Sequence, residues 1–80
     1  MYDDKEIYFK QIGYQVASYR KKKNLTQQEL ADKAHISRSS IGKIECGNYN
    51  RNISLSMLID IANALGIHFT AFFSFMKNRK

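Results

Sequence analysis

Arg38, Ser39 and Lys43 are the residues whose types and spacing point to chemistry in this sequence. On a helix they share one side with Gly42, so two cations, one hydroxyl and one missing side chain form an outward face without an acid. Such a face donates hydrogen bonds and carries positive charge, which suits the edge of a nucleic-acid groove. An arginine near the start of that helix can offer both arms of its fork to guanine O6 and N7. Lys43 is a candidate for guanine or for a phosphate, and Ser39 for a base or a phosphate. Gly42 either leaves room for a thymine methyl or groove depth, or stands on a solvent face without a role.

Two short helices must position this face, over about residues 26–47. Thr26 is a good N-cap, and Glu29 three residues later completes a capping box. Leu30, Ala31 and Ala34 give one apolar face at helical spacing, which stops at His35. Ser37 is a second N-cap, Ile41 and Ile44 a second apolar pair, and Gly47 a stop. Only about three residues separate the two patterns, the connection used by a helix-turn-helix.

The flanking sequence reads as further helices. Asp3 or Asp4 can cap a first one, whose Tyr8, Ile12, Val16 and Tyr19 recur as a buried stripe. Gly13 weakens that helix but permits close packing. The run Arg20-Lys21-Lys22-Lys23-Asn24 ends it, with cations that complement the dipole and an asparagine that tolerates a left-handed turn. A polar loop over 48–52 follows. Ser54 then caps a fourth helix with Leu55, Leu58, Ala62 and Leu65 inward and Gly66 as its end, and a last helix runs over about 68–76. The expectation is an all-α fold of five compact helices in one domain over 1–80, since the chain has no proline and no linker-like stretch.

With 80 residues, a single core buries only about 60–65% of the unfolded surface, so dimerisation is an expected source of stability. The net charge of +6 is unevenly spread. Residues 20–51 hold eight Lys/Arg (20, 21, 22, 23, 33, 38, 43, 51) against three acids (29, 32, 45), and the last four residues hold three cations. The remainder is slightly acidic. Positive charge on the proposed reading helix and its surroundings is the footprint of a nucleic-acid partner. Lys22, Lys23, Asn48, Tyr49 and Arg51 are candidates to hold phosphates beside it, as is Ser37 secondarily to its cap. A single cysteine, Cys46, excludes an internal disulfide and a cysteine zinc cluster. His35 and His68 have no partners at ligand spacing, so no metal or other cofactor is expected. There is no nucleophile–base pair, paired-carboxylate site or phosphate loop, which argues against an enzyme. No apolar run reaches the roughly 18 residues of a membrane span, and the start is acidic, so a cytoplasmic protein without a membrane partner is expected.

Many spaced positions together resemble the phage-repressor-like (Cro-like, XRE-type) helix-turn-helix family. They are Gln27, Ala31, the His35-Ile36-Ser37 corner, Ile41, Ile44-Glu45 and Gly47 in the core motif. Outside it are Ile12, Val16, Tyr19-Arg20, Leu25, Ser54-Leu55, Leu58, Ile61-Ala62, Ala64-Leu65-Gly66 and Phe72-Phe73, so the resemblance covers roughly residues 7–76. It implies a five-helix lambda-repressor-like DNA-binding domain acting as a dimeric transcriptional regulator on double-stranded DNA. It also implies that Gln27 anchors a backbone phosphate and that Arg20 and Glu45 form a structural ion pair. His35 departs from the glycine usual at this corner, at a cost of about 1–2 kcal/mol. The 48–52 loop is about two residues longer than is usual in the family. Among small members, the Arg51-Asn52-Ile53-Ser54-Leu55 stretch and the Phe72-Phe73 ending are most similar to restriction–modification controller proteins.

The last helix has two readings. In one its aromatics complete the monomer core. In the other, part of Phe72, Phe73, Phe75 and Met76 stays exposed and meets a second copy. Adjacent phenylalanines point about 100° apart on an α-helix, which favours the second reading. The expected function is a homodimeric, sequence-specific regulator reading an inverted repeat, with half-sites about 10–11 base pairs apart, and no small-molecule ligand. The alternative is an antitoxin or other protein-interaction module acting through the aromatic surface.

Overall fold

A computed structural model describes residues 5–48 and 53–76, with Phe75 and Met76 by their backbone alone. The expected cap at Asp3 or Asp4, the candidate phosphate contacts Tyr49 and Arg51, and the cationic tail lie outside the described residues, as do the side chains of Phe75 and Met76. The described residues form five helical segments and no strand. We label them α1 (Lys5–Lys22), α2 (Gln27–Ala34), α3 (Arg38–Glu45), α4 (Leu55–Leu65) and a terminal 3₁₀ segment (Phe69–Met76).

Short-range chemistry sets the helix boundaries. Thr26 Oγ1 accepts from the Glu29 N–H at 3.0 Å while Glu29 Oε1 accepts from the Thr26 N–H at 2.8 Å, a complete capping box. Ser37 and Ser54 cap α3 and α4, each accepting at 3.1 Å from the N–H three residues on. Asn24, His35, Gly47 and Gly66 all take the left-handed conformation that ends or follows a helix, with φ of 59°, 59°, 75° and 72°.

The core is a single cluster. Val16 of α1, Leu30 of α2, Ile41 and Ile44 of α3, Ile61 and Leu65 of α4 and Phe72 are all essentially inaccessible to water. α1 packs chiefly on α3 and on the 3₁₀ segment, and α2 on α4 and α3. Gly13 is what lets α1 approach α3 closely. A Cβ there would overlap the carbonyl oxygen of Ile44, which is backbone and cannot step aside.

Two expectations fail. Leu55, assigned to the inward stripe of α4, is 57% exposed, and Ile61 fills the core position instead. More consequentially, residues 69–76 form a 3₁₀ helix rather than an α-helix, illustrated by the Ala71 N–H bonding to the His68 carbonyl at 2.9 Å. With three residues per turn, successive side chains diverge by about 120° and residues three apart stand in one row. Of the adjacent pair Phe72-Phe73, it is Phe72 that lies fully in the core, where its ring meets Tyr19 edge-on at 6.2 Å. It is a core residue of one chain, and the expected place for Phe72 in a dimer interface is corrected accordingly. Phe73 is half-buried against the same core, its ring edge-on to Phe69 at 6.3 Å.

Candidate nucleic-acid interface

α3 has only two turns, so its two faces are easily separated. Ile41 and Ile44 are buried, and on the opposite side Arg38, Ser39 and Lys43 are exposed. Among the described residues, these three side chains make no hydrogen bond or ion pair with the rest of the protein. All three are exposed, and no carboxylate among the described residues pairs with either cation. Ser40, between the two faces, is half-buried and bonds the Ser37 hydroxyl at 2.9 Å. The Ser37 hydroxyl is thereby committed to the cap.

The fold holds this helix by its far end. Glu45, at the last position of α3, receives Arg20 Nε at 2.7 Å on one oxygen and Arg20 Nη2 at 3.1 Å on the other. Both side chains are largely buried, with 12% and 7% exposure, and Arg20 Nη1 also donates to the Leu25 carbonyl at 2.7 Å. A forked pair of this kind fixes direction as well as distance. It ties α3 to the end of α1 and to the chain leading into α2. Burial of such a pair is weak evidence of net stabilisation, because desolvation offsets much of the attraction. Its clear consequence is orientation.

Gln27 adds a third strut that sequence reasoning missed. Its amide Nε2 donates to Glu45 Oε1 at 3.0 Å, linking the first residue of α2 to the last of α3. Eighteen positions separate the two residues, and no local pattern signals the meeting. An amide nitrogen carries two N–H donors, and Glu45 uses one. The other remains for an external acceptor, so the strut and a phosphate contact are compatible.

The remaining candidates are scattered. Lys22 lies over the ring of its own neighbour Tyr19, 5.2 Å from the centroid. Lys23 extends its ammonium towards Gly66 at the end of α4, 3.9 Å from where a Cβ would stand, a place favoured by the helix dipole. The two lysines therefore diverge, and neither is tied to α3. Asn48 is exposed just beyond α3, its N–H bonded to the Lys43 carbonyl at 2.9 Å. Cys46 is an exposed free thiol. No group of three or more His, Cys, Asp or Glu among the described residues is placed to hold a metal ion, and no helix among them is long and apolar enough to cross a membrane.

Two capped helices in sequence, the second braced at its end and bare on its outer face, make a helix-turn-helix. The helix-turn-helix family model HTH_3 matches residues 16–72. The chain belongs to this XRE-type family of DNA-binding regulators. This helix-turn-helix chain is 45% identical over 60 residues to the immunity repressor protein of Bacillus phage phi105, an alignment spanning 75% of this chain and 40% of the repressor. It is 41% identical over 63 residues to the control protein C.SmaI of Serratia marcescens, spanning 79% of this chain and 68% of that protein. The fold is similar to the crystal structure of the restriction-modification controller protein C.AhdI from Aeromonas hydrophila. There the TM-score is 0.76 at 32% identity, covering 81% of this chain and 96% of that one.

Proposed function

We propose that this chain is a sequence-specific DNA-binding transcriptional regulator that inserts α3 into the major groove and acts as a homodimer on an inverted-repeat operator. The observation that carries this reading is the outer face of α3, where Arg38, Ser39 and Lys43 are exposed and unengaged while the other face is locked into the core. Arg38 reads guanine with its fork, and Ser39 and Lys43 contact the neighbouring base edges or phosphates. Gln27, held by Glu45, anchors a phosphate near the N-terminus of α2 and so fixes register without reading sequence. Asn48 and the Tyr49–Arg51 stretch extend the backbone contacts, with Lys22 and Lys23 at the periphery. The two subunits place their α3 helices in successive major grooves, about 10 base pairs apart.

Among regulators of this family, a restriction–modification controller is the reading favoured here, in the cytoplasm where such DNA lies. Its support is the likeness to C.SmaI and to C.AhdI, nearly the whole of which aligns with this chain. The phage repressor is matched over well under half its length.

The test is a titration across salt with a duplex selected from a random pool and a scrambled one. A sequence reader keeps its preference as salt rises, while log affinity falls by about 0.9 per log salt for each neutralised phosphate. Equal affinity for both duplexes at every salt concentration would reject the assignment. Sedimentation supplies the second arm: Phe73→Asp is expected to weaken self-association, and an unchanged dimer would move the interface elsewhere.

A further inference from the structure

Four glycines occur in this chain, and the structure gives a reason for three of them. Gly13 lies where a Cβ would collide with the backbone of α3. Gly47 has φ of +75°, and a Cβ there would come within 2.6 Å of Lys10 Cγ. Gly66 has φ of +72° at the end of α4. Gly42 has neither excuse. It sits inside α3 with ordinary helical backbone, and the nearest atom to a Cβ would be Gln27 Oε1 at 3.8 Å, an ordinary van der Waals separation. A glycine inside a helix weakens it relative to alanine, so the fold by itself would favour a side chain at this position.

The place of Gly42 on the helix says what lies opposite the gap. Counting about 100° per residue, Gly42 falls some 40° from Arg38 and 60° from Ser39 around α3, between them on the outer arc. Lys43 closes the arc on the other side. The gap carries no polar side-chain atom of its own, with Arg38 and Ser39 beside it on α3 and Gln27 Oε1 as the nearest atom to it. Beside the hydrogen-bond donors, the acceptors and the small C5–H of cytosine that base pairs display in the major groove, the C5-methyl of thymine is the bulky apolar group. A methyl-sized recess between hydrogen-bonding side chains is complementary to that one group.

We infer that Gly42 is a specificity-determining residue, whose missing side chain admits a thymine methyl at the base pair beside the one contacted by Arg38. This rests on the groove-reading role of α3 proposed above and deepens it.

The experiment uses the full chain and the duplex that the wild type selects from a random pool. Each thymine of a half-site is replaced singly by deoxyuridine, which removes only the methyl. Burying one such group corresponds to roughly a fourfold change in affinity. At one position per half-site the wild type is expected to lose about that factor, and nowhere else. Gly42→Ala is expected to raise Tm by about 4 °C, as a helix gains from alanine. Yet it should bind the selected duplex at least roughly fourfold more weakly, the share carried by the seated methyl, and should regain rather than lose affinity on the deoxyuridine duplex that weakens the wild type. The raised Tm separates lost recognition from lost folding. The proposal is overturned if Gly42→Ala binds as tightly as the wild type, or if the wild type tolerates every deoxyuridine without loss. Arg38→Ala, run alongside, tells which level failed. If Arg38→Ala loses its base preference while Gly42→Ala is neutral, α3 reads DNA and only the recess is wrong. If Arg38→Ala also matches the wild type on every duplex, the groove-reading role fails and the recess with it.

Discussion

The outer face of α3 and the 3₁₀ segment at 69–76 both stood out in the sequence as concentrations of one chemistry, cationic and polar in the first, aromatic in the second. The fold treats them oppositely. Arg38, Ser39 and Lys43 are left exposed and without protein partners among the described residues. Phe72, at the heart of the aromatic stretch, is drawn completely into the core of its own chain. The structural obligations of α3 are met by Ile41, Ile44 and Glu45 on its other side, so its outer arc is free to be chosen for something outside the protein. In the 3₁₀ segment Phe72 is needed by the monomer's own core. A residue cluster is evidence of an external partner only after the monomer's own needs have been met, and that condition holds for α3 but not for Phe72.

This contrast can be broken or sharpened in order of expected effect. Phe72→Ala is expected to destabilise the monomer by about 3–5 kcal/mol, a large part of the stability of so small a domain. Chemical denaturation measures it. Stability within 1 kcal/mol of wild type, combined with a weaker dimer, would return Phe72 to an interface. Arg20→Ala leaves the Glu45 carboxylate, 7% exposed, without its cation. About 3 kcal/mol is expected, at the low end of the range for broken buried pairs because the arginine still partly meets water. A loss below 1 kcal/mol would mean that Glu45 finds water or a new partner and that the brace on α3 is dispensable. His35→Gly relieves a non-glycine residue at φ of 59°, and a gain of about 1 kcal/mol is expected, since glycine has no Cβ to strain there. A thermal melt shifted downwards instead would show that the imidazole contributes packing at the corner. Smallest of all for the fold is Arg38→Ala, expected to change stability by no more than about 0.5 kcal/mol, as for any exposed residue without partners.

The parts of the structure legible in the sequence are those governed by neighbours within four residues. The Thr26–Glu29 box, the Ser37 and Ser54 caps, and the left-handed Asn24 and Gly66 each depend on local side chains and were readable from types and spacing alone. His35 taking the conformation usual for glycine was readable from the register of the corner. The Arg20–Glu45 pair came through family resemblance, because nothing local joins positions 25 apart. The Gln27 strut went unseen for the same reason, and its partner is visible only once α2 and α3 are packed. The aromatic segment misleads because divergence of neighbours says that Phe72 and Phe73 cannot share the core equally but not which of them enters it, and burial shows that Phe72 does. The open face of α3 was legible as composition. What composition alone left undecided was whether that face would be covered, and burial answers that for the described residues.

The central claim is that α3 reads base edges through Arg38. The most direct measurement compares wild type and Arg38→Ala on a panel of duplexes carrying every single-base change in the selected half-site, at fixed salt. The account predicts that Arg38→Ala loses about 1–3 kcal/mol on the selected duplex and becomes indifferent to one base pair while keeping its preferences at the others. A uniform loss across the whole panel, with the pattern of preferences unchanged, would make Arg38 a phosphate contact and contradict the claim.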